Sequence, residues 1–152
     1  MRKILSAMRR AIQDYNMISP GDKIAVGISG GKDSLSLLAA LAAFSEGNVV
    51  LLAGGYDKHI PYDELGPEIC KHVKKLFLCG ATAPQIRAAV ENCPMEKPEM
   101  VDCGKFEAAV KAAAAVAESG DVVLMSPASA SFDEFKNFAV RGNFFKKLIM
   151  EL

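Results

Sequence analysis

A chain of 152 residues, 51% of them hydrophobic, can bury one core, and a domain of this size withdraws roughly two-thirds of its unfolded surface from water. Lys plus Arg and Asp plus Glu balance at 18 each, so no global field draws the chain to nucleic acid or to an anionic membrane, and an anion site has to be built locally. No stretch approaches the ~20 apolar residues that span a bilayer, and residues 1–10 mix charge with apolar side chains where a secretory signal needs an apolar run, so a cytoplasmic location is expected.

Ile4, Met8, Ala11, Ile12 and Tyr15 recur at helical spacing and predict an amphipathic first helix, broken by Ser19, Pro20, Gly21 and Asp22. Residues 23–28 predict a strand; glycines follow, then Leu35, Leu37, Leu38 and Leu41 in an alanine-rich helix. Residues 48–53 form a second strand ending in Gly54 and Gly55, and residues 63–73 a helix in which Pro67 is tolerated only in the first turn. A strand over 75–79 and a helix over 84–91 come next. Pro98 weakens residues 96–102, leaving an edge strand from Glu99. Residues 106–117 are a strong helix, 121–125 a strand, and 132–152 mostly helix with an interruption near Gly142. Cys70, Cys79, Cys93 and Cys103 lack C-x-x-C spacing and lie in or beside apolar stretches, which favours buried reduced thiols over zinc or a disulfide.

Apolar strands alternating with helices imply right-handed crossovers that cover both sheet faces, hence a single three-layer α/β/α, Rossmann-like domain over 1–152 with a mostly parallel sheet of about five to six strands. Ligands of such sheets bind beyond the carboxyl ends of the strands. That rule selects the loops at 29–33, 54–58, 80–82, 103–105 and 126–133, which hold the chain's unusual polar clusters.

In the first of these loops, Ser29, Gly30, Gly31, Lys32, Asp33 and Ser34 stand between a strand and a helix. Glycines there let backbone N–H groups approach an oxyanion, the helix start adds partial positive charge, and Lys32 supplies a full one. The spacing is not that of a Walker A loop, because Asp33 follows Lys32 where Ser or Thr is required. On the residues alone a phosphate cradle and a simple turn capped by Asp33 or Ser34 stand level. The run SGGKDS, with the strand KIAVGI and the lead-in AIQDYNMISPGD, resembles the start of the PP-loop ATP pyrophosphatases of the tRNA 2-thiocytidine synthetase type over residues 1–44. The resemblance implies that these six residues bind phosphate or ATP, with Mg²⁺. That family's later adenine-binding loops and C-x-x-C pair do not follow, so tRNA thiolation is not expected.

Further along, NVVLLAGGYDKHIPYDEL and VVLMSPASASFDEFKNFAVRGNFF resemble the C-terminal domain of the UDP-N-acetylmuramoyl-L-alanine:D-glutamate ligases, enzymes of peptidoglycan-precursor synthesis, over residues 48–152. That resemblance implies a grip on D-glutamate by Lys58, Ser131, Phe132 and Phe138. A lysine opposite a hydroxyl and helix-start N–H groups suits a small dicarboxylate, while for the two phenylalanines core packing stands as the alternative. A PP-loop unit occupies the place of that domain's usual first strand and helix, and the ligase's own ATP-binding and UDP-sugar parts do not appear. The expectation is therefore a recombined or engineered chimera, joined near residues 38–48, that retains a phosphate or ATP site without turnover and requires no cofactor. Three alternatives stand beside it: a weak ATP pyrophosphatase or hydrolase using Lys32, Asp33, Ser34 and Lys58, a purely structural chimera, and a remnant D-glutamate-binding domain. The expected partner is a small anion, phosphate or nucleotide, without nucleic acid or membrane, and a homodimer through an exposed apolar face is left open.

Overall fold

In the computed structural model, which describes residues 24–27, 41 and 47–151, helices separate successive strands from residue 49 onward. The order is β1 (Ile24–Gly27), β2 (Val49–Gly54), α1 (Leu65–His72), β3 (Val73–Cys79), α2 (Ala83–Glu91), β4 (Glu99–Gly104), α3 (Phe106–Val116), β5 (Val122–Met125) and α4 (Phe138–Met150). All strand pairs are parallel, in the order β1-β5-β2-β3-β4. The last strand in sequence thus sits between the first two.

The period-2 pattern of the strands sorts their side chains onto two faces. Val49, Leu51, Ala53, Leu76, Leu78 and Leu124 point to one, where they pack with Leu65 and Ile69 of α1 and with Ile86 and Val90 of α2. Val50, Leu52, Phe77, Val123 and Met125 point to the other, against Phe106, Val110 and Ala113 of α3 and Phe145 and Leu148 of α4. Every residue of β2 and β5 is buried, as a strand covered on both faces must be. The three-layer α/β expectation is met. β4 lies at the sheet edge with none of its residues fully buried, and there Glu99 pairs with Lys75 and Asp102 with Arg87. Charge on an outer strand discourages pairing with another chain.

Two boundaries differ from the sequence expectation. α1 passes straight into β3 at Val73, because Val73 pairs with Val49 across the sheet and that pairing outweighs its place at the end of an apolar helical pattern. The C-terminal helix begins at Phe138, not 132, and runs through Gly142 without interruption. Residues before it are committed to other contacts: Phe135 N donates to Ser131 O at 2.8 Å, and Glu134 Oε1 accepts from Phe106 N at 2.9 Å, capping α3. Asn137 then caps α4, its Oδ1 accepting from Val140 N at 2.9 Å. The helices expected before residue 44 lie outside the described residues. Among those described, no helix is long and apolar enough to cross a membrane.

Candidate functional site

The strands end at one edge in two sets: Gly27 is opposite Met125, and Gly54 is opposite Cys79 and Cys79 opposite Gly104, while Met125 pairs with Leu52, so β1 and β5 stop slightly short of the other three. Because β5 lies beside β2, the connections that leave Met125 and Gly54 meet at the centre of this edge. Gly54 N donates to Pro127 O at 2.7 Å and Tyr56 N to Ala130 O at 2.9 Å, closing the two loops onto each other. Glycine is required for that approach. A Cβ on Gly54, at φ +116°, would stand 1.8 Å from Cys79 O, and one on Gly55 2.3 Å from Ala130 O.

Beneath the junction runs a chain of buried hydroxyls. Ser129 Oγ lies 2.9 Å from Tyr62 OH and 2.7 Å from Thr82 Oγ1, and Thr82 Oγ1 donates to Gly55 O at 3.3 Å. A carbonyl can only accept and each hydroxyl carries one proton, so the direction is set as Tyr62 to Ser129 to Thr82 to Gly55 O. From the other side Arg141 of α4, only 3% exposed, donates from Nη1 to Ala130 O and from Nη2 to Ser129 O, both at 3.2 Å. A buried guanidinium bridging successive carbonyls leaves the loop little freedom.

On this support stand the residues singled out from the sequence. Ser131 is buried, one residue beyond the carbonyl that Tyr56 and Arg141 share, and Phe132 meets the Tyr56 ring edge-on with centroids 6.1 Å apart. Phe132 is 63% exposed and Phe138 62%, so core packing does not account for either. Lys58 is exposed on the loop after β2, within a turn in which Asp57 Oδ1 accepts from His59 N at 2.7 Å. The structure therefore brings the Lys58 loop and the Ser131–Phe132 segment to one edge, with Phe138 in the first turn of the following helix. Ser29, Gly30, Gly31, Lys32, Asp33 and Ser34 lie outside the described residues, though β1 reaches Gly27 on the same edge as Ser126. Sequence reasoning missed Tyr62, Thr82, Ser129 and Arg141. Loop hydroxyls signal polarity but not partners, and an arginine one turn into a helix carries no mark of burial. Among the described residues the four cysteines are free and no three His, Cys, Asp or Glu side chains converge as metal ligands.

A family model described as "Mur ligase, glutamate ligase domain" matches residues 22–129. The UDP-N-acetylmuramoylalanine--D-glutamate ligase of Acetivibrio thermocellus is 49% identical over 117 residues, which cover 74% of this chain and 25% of that protein. Its counterpart in Ruminiclostridium cellulolyticum is 45% identical over 120 residues, covering 76% and 26%. The Clostridium botulinum protein of the same name is 35% identical over 156 residues, covering 95% of this chain and 34% of its own length. The chain spans about a quarter of the length of the first two relatives. The family match begins ahead of Ser29 and runs through residues 38–48, so the glycine loop at 29–34 and the expected join both fall inside one family's span. This corrects the expectation of a chimera of two families.

Proposed function

Because this chain belongs to the glutamate ligase domain family of the Mur ligases, we propose that the carboxyl edge of its sheet binds D-glutamate and presents it for joining to a UDP-N-acetylmuramoylalanine acceptor. The observation that carries the reading is the exposure of Phe132, which meets Tyr56 of the Lys58 loop and follows buried Ser131, with Phe138 exposed at the start of α4. Exposed aromatic rings at the ligand end of the sheet offer apolar surface that a bound molecule can cover. Lys58 supplies a cation for one carboxylate, the Ser131 hydroxyl and the N–H groups around it suit the other, and the rings flank the methylenes between.

Amide formation needs the glutamate amine held in line with an activated carboxyl carbon, and holding it there is the contribution of this domain. Activation of the acceptor carboxyl by ATP with Mg²⁺ is proposed for the parts of the relatives that this chain does not span. Ligation itself is proposed for a polypeptide of the relatives' full length. The binding step is tested on the chain as it stands, by titrating ¹⁵N-labelled protein with D-glutamate and, for comparison, L-glutamate. Saturable shifts at the Lys58, Ser131, Phe132 and Phe138 amides, abolished by Lys58→Ala, are expected for the D enantiomer. Absence of shifts at tens of millimolar ligand overturns the reading.

A further inference from the structure

We propose that Asp57 is a positioning residue for Lys58, acting by clamping the β2–α1 loop to helix α2 through Gln85. The inference rests on the D-glutamate reading for its consequence, but its geometry is independent of any ligand. Asp57 Oδ1 accepts from His59 N at 2.7 Å, closing a ring with Lys58 at its centre. This is the Asx turn by which a short carboxylate substitutes for a backbone acceptor. His59 leaves the ring in the left-handed region at φ +57°, a conformation that non-glycine residues adopt infrequently and that local contacts help to hold.

The second carboxylate oxygen makes such contacts. Asp57 Oδ2 accepts from Gln85 Nε2 at 3.1 Å and stands 3.3 Å from His59 Nδ1. Gln85 is the third residue of α2, and its neighbours Thr82 and Ile86 are both fully buried. The helix is therefore fixed to the sheet, and the bond from Gln85 extends that fixity outward to a loop whose tip is exposed. A lysine on a free loop would spend rotational and backbone freedom on binding a dicarboxylate; one whose turn is already closed spends only that of its own side chain. Sites supported from regular elements hold their groups more tightly than sites carried on loops alone.

The experiment uses the 152-residue chain with Asp57→Ala, Asp57→Asn and Gln85→Ala. None of these removes a side chain from either core cluster, and unchanged amide dispersion outside the loop verifies the fold. Asp57→Ala is expected to raise the D-glutamate dissociation constant about tenfold, and Asp57→Asn, which keeps the acceptor for His59 N, to stay within about threefold of the parent. Gln85→Ala alters no atom of the loop, yet is expected to shift the Lys58 and His59 amide resonances and weaken binding about threefold. In the ligand-free chain the His59 amide is expected to exchange faster in Asp57→Ala and to keep its protection in Asp57→Asn. Parent-like binding by Asp57→Ala, or Lys58 and His59 amides unmoved in Gln85→Ala, overturns the proposal. If the parent chain binds no D-glutamate, the functional reading fails, and the clamp is judged on His59 exchange and the Gln85→Ala shifts alone.

Discussion

Ser129 Oγ joins hydroxyls from two other connections, Tyr62 OH before α1 and Thr82 Oγ1 before α2, and all three residues are buried. Ser129→Ala leaves the Tyr62 hydroxyl without its acceptor and Thr82 without its donor, both in buried residues. A loss of about 1–3 kcal/mol is expected from the urea midpoint, larger than for Ser→Ala on an open surface. Cys79 gives a pH-dependent counterpart. Burial, aided by the Glu134 and Asp133 carboxylates, pushes its thiol from the ordinary 9.0 up to about 12. Above about pH 9 the unfolded chain loses this proton while the folded chain keeps it, so the thiol's contribution is intact below that pH and is lost as pH rises toward the folded value. Unfolding midpoints measured between about pH 8 and about pH 11 should therefore fall less steeply for Cys79→Ala than for the parent. At this scale Lys58, Ser131, Phe132 and Phe138 could be singled out as candidates because each belongs to an unbroken motif. Ser129 was visible only as one serine among several in SPASAS, since the hydroxyls it joins lie far away in the chain.

Helices α1 and α2 approach closely at Gly66, where an added Cβ would stand 2.2 Å from Ala89 O. In α4, Gly142 has nothing within 4 Å of the same position. Both glycines are helical, so intrinsic propensity favours alanine equally at each. Packing separates them. Gly66→Ala should push α1 off α2 and cost about 2–3 kcal/mol, whereas Gly142→Ala should stabilise by about 0.5–1 kcal/mol, both read from thermal or urea unfolding. Gly142 also shows why the sequence suggested a break in the last helix where there is none. A glycine costs the helix about 1 kcal/mol, but Phe145 and Leu148 on the following turn are buried against α3 and the sheet and offset it. The late start of α4 was hidden for a different reason: residues 132–137 have helical composition, but Glu134 is spent on the first turn of α3.

Leu51 and Leu52 are adjacent on β2, 0% and 1% exposed, and face opposite layers of the molecule. Truncating either to alanine should cost about 2–5 kcal/mol. Both changes should lower one cooperative transition seen alike by circular dichroism and tyrosine fluorescence, because the sheet they share is the wall of both cores; separate transitions would show that the layers unfold independently. The alternation of strand and helix, the parallel three-layer class, the outer position of β4 and the edge on which a ligand would sit were all determined by the sequence itself. They follow from side-chain periods of 2 and 3.6 and from chirality, which act over a few residues. Only the tertiary structure decided that β5 lies between β1 and β2, and with it that Ser129 meets Tyr62 across 67 positions of chain and that Arg141 closes over the same loop. Strand order is chosen by which apolar surfaces and backbone edges fit together after the elements exist, and no local pattern carries that information.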